Sequence, residues 1–294
     1  MSYKLDFDAD FAAAARLAAR ERLDKGATVL SEEQDDDPVE AVHEARKEIK
    51  KARSLLRLAR PGLQKRTYRR ENGSLRDAAR TVAHVRDADV MVETVDALRE
   101  RFDGRVSART FAAVRRRLAK DAERSRADGN ASVGAELTQT LEAVAERVDD
   151  WPLDGGWAVA RKGVARTYKR GRKAFAVADA DPTAENLHEL RKRVKDLWYQ
   201  ERLLQPAWPA MLGAHADEAH TLADMLGDDH DLAVLAERLP RTLAASDVLL
   251  ELIDERRREL LAEIRLLGRR LYAEKPKAFA RRLRDYIRHP AAAG

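Results

Sequence analysis

Apolar residues recur at every third or fourth position along nearly the whole chain, the spacing that lines one face of an α-helix. On this pattern we expect helices over about 10 to 24, 70 to 101, 108 to 127, 134 to 148, 157 to 178, 209 to 226, 230 to 244, 247 to 272 and 276 to 287. Two further segments, Asp37 to Pro61 and Asp181 to Pro206, read as helices of roughly 20 residues, or about 30 Å at the α-helical rise. No segment shows the alternation of a strand. Long amphipathic helices with short connections predict an all-α protein of packed helical bundles. The Gly-, Pro- and Asp-containing stretch from Asp149 to Gly156 is the expected link between two halves.

Those two segments match each other. HEARKEIKKARSLLRLARP, from His43, lies over HELRKRVKDLWYQERLLQP, from His188, without a gap, and both histidines and closing prolines are 145 positions apart. A second block follows in the same order: VAHVRDADVM, Val82 to Met91, lies against LGDDHDLAVL, Leu226 to Leu235, at an offset of 144, placing Arg86-Asp87 opposite His230-Asp231. Self-similarity at a fixed spacing marks an internal repeat. Asp37-Pro38 and Asp181-Pro182 each supply an expected N-cap carboxylate and a proline at the first helical position, while Glu40 and Glu185 place negative charge at the positive end of the helix dipole.

Composition narrows the chemistry. Charged residues make up 36% of the 294, against a usual figure of about 25%. The net charge of +5 leaves 56 basic residues nearly balanced by 51 acidic ones, so a strongly basic groove can hide in a weak overall field. The absence of cysteine excludes disulfides, thiolate metal sites and cysteine nucleophiles. With no run apolar enough to span a bilayer and no basic-then-apolar start, we expect a soluble cytoplasmic protein with no membrane association.

At helical spacing His43, Arg46, Lys47 and Lys50 share a face, continued by Ser54 and Arg57 with Arg53 beside it; in the twin, His188, Arg191, Lys192 and Lys195 lead to Tyr199 and Arg202. The neighbouring stripe is apolar in both: Val42, Ala45, Ile49, Ala52 and Leu56 in one, Leu187, Leu190, Val194, Leu197 and Leu204 in the other. Stacked like charges destabilise a helix, so something must compensate them. For one basic helix the ordinary answer is solvent and acidic neighbours. Its duplication, headed each time by histidine, points instead to a shared anionic ligand. A linear phosphate polymer needs repeated donors: Arg grips phosphate oxygens bidentately, Lys supplies a point charge, and His adds a donor sensitive to pH. Arg16, Arg20 and Arg22 near the N-terminus, and Arg166, Lys169, Arg170 and Lys173 before the second row, are expected to add two more basic helices. Arg86 and His230 are expected to reach the groove from the second repeated block.

Other chemistries compete. His230-Asp231 forms an HD dipeptide, with His188, His215, His220, Asp228 and Asp229 as further ligands for a metal-dependent phosphohydrolase. Against it, the matched first-half position is Arg86, which cannot ligate a metal. A basic groove also attracts nucleic acid, but aromatics are only 5% of the chain and are not spaced as a base-stacking platform, so specific nucleic-acid recognition is not expected. A helical scaffold that docks an acidic protein is the third alternative.

The motifs HEARKEIKKARSLL, HELRKRVKDLWYQERLL, VRDADV and LGDDHDLAVL, in that order, resemble the CHAD family over about residues 8 to 287. The resemblance implies two antiparallel helical bundles, 8–150 and 157–287, related by a pseudo-twofold axis around a basic central groove or channel. It also implies binding of inorganic polyphosphate without catalysis; no cofactor is expected, and granule attachment and regulation stand as alternative purposes of that binding. Members of this family often sit beside a triphosphate-hydrolysing β-barrel domain, of which this sequence shows no strands. Departures between the halves, Glu48 and Lys51-Ala52 against Arg193 and Asp196-Leu197, and Val82-Ala83 against Leu226-Gly227, predict unequal contributions from the two.

Overall fold

The computed structural model describes residues 3–32, 38–82, 87–127, 131–239 and 244–290. Among the described residues eleven α-helices run in chain order: α1 Phe11–Glu32, α2 Pro38–Ala59, α3 Lys65–Thr81, α4 Asp87–Arg101, α5 Ala108–Ala127, α6 Ala131–Glu146, α7 Trp157–Ala180, α8 Ala184–Leu204, α9 Pro209–Arg238, α10 Ala244–Leu271 and α11 Pro276–Arg288. No strand occurs among the described residues, which contain one isolated bridge between Leu63 and Leu153. The all-α expectation holds.

Helix pairing divides into two runs. In the first run α1 packs against α2 and α6, α2 against α3, and α4 against α5; in the second, α7 packs against α8 and α11, α8 against α9, and α9 against α10. Contacts across the runs join α2 to α7 and α8, α4 to α9, and α5 to α10. Buried side chains from Leu5 to Leu283 form one hydrophobic cluster that takes in both runs.

Local sequence explains the principal elements. Both apolar stripes are fully engaged: Val42, Ala45, Ile49, Ala52 and Leu56 on α2, and Leu187, Leu190, Val194, Leu197 and Leu204 on α8, are all buried. That burial, worth roughly 1.5–3 kcal/mol for each large aliphatic side chain, fixes which side of each helix remains for the cations. The matched prolines Pro61 and Pro206 sit in short 3-10 turns, Arg60–Gly62 and Gln205–Ala207, which close α2 and α8 because proline cannot continue an α-helical ladder. Gly163 lets α7 approach α2, since a Cβ there would lie 2.0 Å from the Leu58 carbonyl oxygen.

Four expectations need correction. The helix expected over 70 to 101 is two, α3 and α4. The two helices expected over 209 to 226 and 230 to 244 are instead one, α9. Asp228-Asp229 looks like a loop, but Asp229 is buried and accepts from Arg257 on α10 at 2.9 and 3.3 Å, so its charge is neutralised inside a continuous helix. Helix α1 extends to Glu32, eight residues past the expected end at 24. The cap of α8 is Thr183, which accepts from the Asn186 amide at 3.2 Å, while the Asp181 backbone oxygen accepts from the Asn186 side chain at 2.8 Å. Pro182 therefore precedes the cap. Asp37 lies outside the described residues, and Pro38 opens α2.

Candidate functional site

The cationic faces of α2 and α8 meet where the two helices cross. Ser54 Oγ donates to the Asp196 backbone oxygen at 3.1 Å, and Gln200 Nε2 donates to the Ser54 backbone oxygen at 3.3 Å, with both side chains fully buried. Arg57 on α2 reaches across to Asp196 Oδ1 at 2.8 Å. Tyr3 Oη donates to the Lys51 backbone oxygen at 2.8 Å and the Leu5 amide donates to the Leu203 backbone oxygen at 2.9 Å, so the chain before α1 straps the crossing.

Around that crossing the two rows converge. Burial first, then the charges of Lys195, Arg46, Arg191 and Lys47, push the Lys50 amine down to about 7. Two of those four cations belong to α8. Lys195 is held below the ordinary lysine range by burial and by Arg191, with Asp224 and Asp231 opposing. Neither Lys50 nor Lys195 forms an ion pair among the described residues. Arg46 Nη1 donates to the Val82 backbone oxygen at 3.3 Å. The Arg191 guanidinium lies against Gly227, where a Cβ would approach Nη2 to 2.9 Å, and its buried Nε lacks a hydrogen-bond partner.

The head of the second row is an imidazole pair. His188 and His230 have ring centroids 4.7 Å apart, and the buried Nδ1 of His188 has no partner. Burial, then His230, Lys192 and Arg191, keep His188 below the ordinary histidine range. A polyanion here would reverse each of these shifts, because it stabilises the charged form that burial and neighbouring cations oppose.

Other members of the rows are neutralised locally. Lys47 pairs with Glu44 and Lys192 with Glu189, the same i,i+3 arrangement in both helices. Arg53 faces α3, with Nε 3.5 Å from Asn72 Oδ1, and burial followed by Arg57 brings it to about 10. Arg202 is half-buried. Tyr199 does not join the cation row: it is buried, stacks on Trp198 with centroids 4.4 Å apart and meets Tyr3 edge-on at 6.1 Å. Arg86 lies outside the described residues.

The flanking basic helices are placed differently from expectation. On α1, Arg16 donates to the Trp151 backbone oxygen at 2.7 Å, Arg20 pairs with Asp149 at 2.6 Å, and Arg22 is buried against Glu48 at 3.4 Å and Glu21 at 3.3 Å. All three tie α1 to its neighbours instead of lining the crossing. On α7, Arg166, Arg170 and Lys173 are exposed, and the latter two, with Arg193 of α8, line a separate cleft between α7 and α8 of about 230 Å³. Lys169 and Lys173 face α10. The missed contributors are Gly227, which makes room for Arg191, and the carboxylates Asp224 and Asp231, which act on Lys195.

The departures between the twin helices are a reversed ion pair. Glu48, buried on α2, takes Lys51 at 2.7 Å; at the matching positions of α8, Arg193 reaches Asp196 at 3.3 Å. Of the candidate ligands of the HD alternative, three are engaged away from the His188–His230 pair: His215 pairs with Glu201 at 2.7 Å, His220 with Asp224 at 2.5 Å, and Asp229 with Arg257. Among the described residues Glu40, His43 and Glu44 have ligand atoms within 4.8 Å of one another, and Glu44 is engaged by Lys47. No described helix is long and apolar enough to cross a membrane.

The family profile of the CHAD domain matches residues 12–240. Among solved structures, PptA from Streptomyces chartreusis superposes with a TM-score of 0.61 at 17% identity, over 90% of this chain and 100% of that one. The crystal structure of the CHAD domain from the plant Ricinus communis gives a TM-score of 0.50 at 18% identity, over 99% of this chain and 97% of that one. At such identities the likeness is one of fold. No curated protein matches in sequence.

Proposed function

This chain belongs to the CHAD domain family, and from that premise we propose that it binds inorganic polyphosphate without catalysis, holding the polymer across the crossing of α2 and α8. The observation that carries this reading is the convergence of both rows on Lys50: burial first, then the charges of Lys195, Arg46, Arg191 and Lys47, lower its amine, with Lys195 and Arg191 acting from α8. A bound anion favours the charged form that burial and these neighbours oppose.

In this reading Arg46, Lys50, Arg191, Lys195, His188 and His230 contact phosphate oxygens, and Arg57 joins them at the crossing. Lys47 and Lys192 exchange their glutamates for the ligand. His43 and Arg202 extend the two rows. We read 8–150 and 157–287 as the duplicated halves, so that the polymer bridges two related surfaces. Retention of the protein at cytoplasmic polyphosphate granules is the corresponding cellular role.

The experiment is calorimetric titration with size-fractionated polyphosphate, DNA and a divalent metal. Polyphosphate should bind far more tightly than DNA at equal charge. Equal affinity for DNA would mean an unselective basic surface, and tight metal binding alone would favour the HD alternative.

A further inference from the structure

We propose that a second anion site, separate from the crossing, lies between α7 and the C-terminal end of α10, and that it takes a compact phosphoanion of two or three phosphates. The cleft, open to solvent, offers about 870 Å³ and brings together Lys169, Arg172 and Lys173 from α7 with Arg269 from α10. Against these four cations its lining offers one carboxylate, Asp179, which is already engaged by Arg265 at 3.1 Å and Arg269 at 3.4 Å.

Three features distinguish this cleft from an ordinary solvated charge run. First, Lys169 and Lys173 form no ion pair among the described residues, whereas the exposed Arg101 and Arg105 pair with Glu259 and Glu255. Second, Arg172 is positioned: its Nε donates to the Tyr272 backbone oxygen at 3.1 Å. This bond covers a carbonyl at the end of α10 that would otherwise repel an anion, and it leaves both Nη groups without a partner among the described residues. Third, the cleft is floored by Phe175 and Tyr272, both buried, and is closed at one end by Pro276, the first residue of α11. The positive end of that helix dipole faces the negative ends of α7 and α10, which border the same cleft, so the attraction for an anion rests on the side-chain cations.

The size of the cleft limits its occupant. Four cations grouped in one pocket suit a triphosphate moiety, either free inorganic tripolyphosphate or the triphosphate of a nucleotide, and a fixed Arg fork suits bidentate phosphate recognition. A long polymer needs a track, which the crossing of α2 and α8 supplies. Because the cleft uses none of the residues assigned to the crossing, this inference stands apart from the proposed function.

The test uses the full chain with the crossing disabled, Arg46→Ala, Lys50→Ala, Arg191→Ala and Lys195→Ala together, titrated with tripolyphosphate and separately with adenosine triphosphate. At least one of these should still bind, and adding Lys169→Ala, Arg172→Ala and Lys173→Ala should weaken that remaining binding at least tenfold with helicity unchanged. Tighter binding of adenosine triphosphate would place a nucleotide in the cleft; equal binding would mean that the phosphates alone are recognised. If neither probe binds the crossing-disabled protein, or if the α7 changes leave the remaining affinity unaltered, the inference is overturned. Failure of the proposed function gives a different result: full affinity for long polyphosphate in the crossing-disabled protein.

Discussion

Asp196 on α8 accepts a hydrogen bond from Arg57 on α2 at 2.8 Å, and the same buried carboxylate takes Arg193 of its own helix at 3.3 Å. Burial pushes Asp196 above the ordinary aspartate range, with Arg57, Arg193, Arg170 and Arg53 opposing that push. Replacing it by alanine would leave Arg57 half-buried without its counter-ion and Arg193 with Glu189 alone. Removing one partner of a buried pair costs about 3 kcal/mol or more, so Asp196→Ala should lower stability by that order in chemical denaturation. Asp196→Asn, which keeps an acceptor, should lose less. An alanine variant as stable as the parent would mean that the crossing is held by its apolar stripe alone.

The pH dependence of binding follows from Lys50. Its amine sits near 7 in the free protein, below its unfolded value of about 10.5, so above neutrality it is largely neutral. A bound polyanion favours the charged form and raises the value, so binding takes up a proton between the free and bound values. Affinity should therefore fall as pH rises through 7 towards 9. The uptake is read at pH 8 by calorimetry in buffers of different ionisation enthalpy, and Lys50→Arg should largely remove it. Stability has its own sign: a depressed lysine destabilises the folded state fully below pH 7, and the penalty is gone above about 10.5. Lys50→Met should thus stabilise the free protein most at or below neutral pH while weakening polyphosphate binding. Proton uptake of the same size in Lys50→Arg would assign the linkage to another group of the crossing, Lys195 or His188.

The twin helices were legible in the sequence because a row of cations and an apolar stripe at one helical spacing are both written into consecutive residues. What the sequence did not disclose was long-range pairing. Arg16, Arg20 and Arg22 share the spacing of a binding row, yet their partners Trp151, Asp149 and Glu48 come from elsewhere in the chain. Asp229 carries the signature of a loop until Arg257, 28 residues on, neutralises it. Tyr199 continues the row by spacing, but a bulky ring next to Trp198 and Tyr3 contributes more by packing than by display. Periodicity identifies a face; only the fold says what covers it.

Spanning two rows should make binding depend on polymer length. A chain long enough to engage both α2 and α8 gains the effective concentration of a linked second contact, so affinity per phosphate should climb with length and then level off. Each phosphate neutralised adds about −0.7 to the log–log salt slope for a single-stranded polyanion, so removing two contacts should flatten the slope by about 1.4. Arg46→Ala with Lys50→Ala, and Arg191→Ala with Lys195→Ala, are the two pairs to compare, with circular dichroism as the check on folding. Unchanged affinity and slope in both pairs would remove the rows from the site.

Gly227 separates a binding role from a structural one. It lies in the interior of α9, where alanine is ordinarily favoured over glycine by about 1 kcal/mol, and the nearest atoms to its would-be Cβ belong to the Arg191 guanidinium, Nη2 at 2.9 Å and Cζ at 3.3 Å. That group is the far end of a flexible side chain, so Gly227→Ala should displace it without disturbing the helix. The variant should therefore be as stable as the parent or slightly more so. Loss of one charge-assisted hydrogen bond from Arg191 should weaken polyphosphate binding about tenfold, the equivalent of roughly 1.4 kcal/mol. Stability measured by thermal unfolding and affinity measured by titration should move in opposite directions. If both fell together, Gly227 would be required by helix packing; if affinity held, Arg191 would bind phosphate from more than one position.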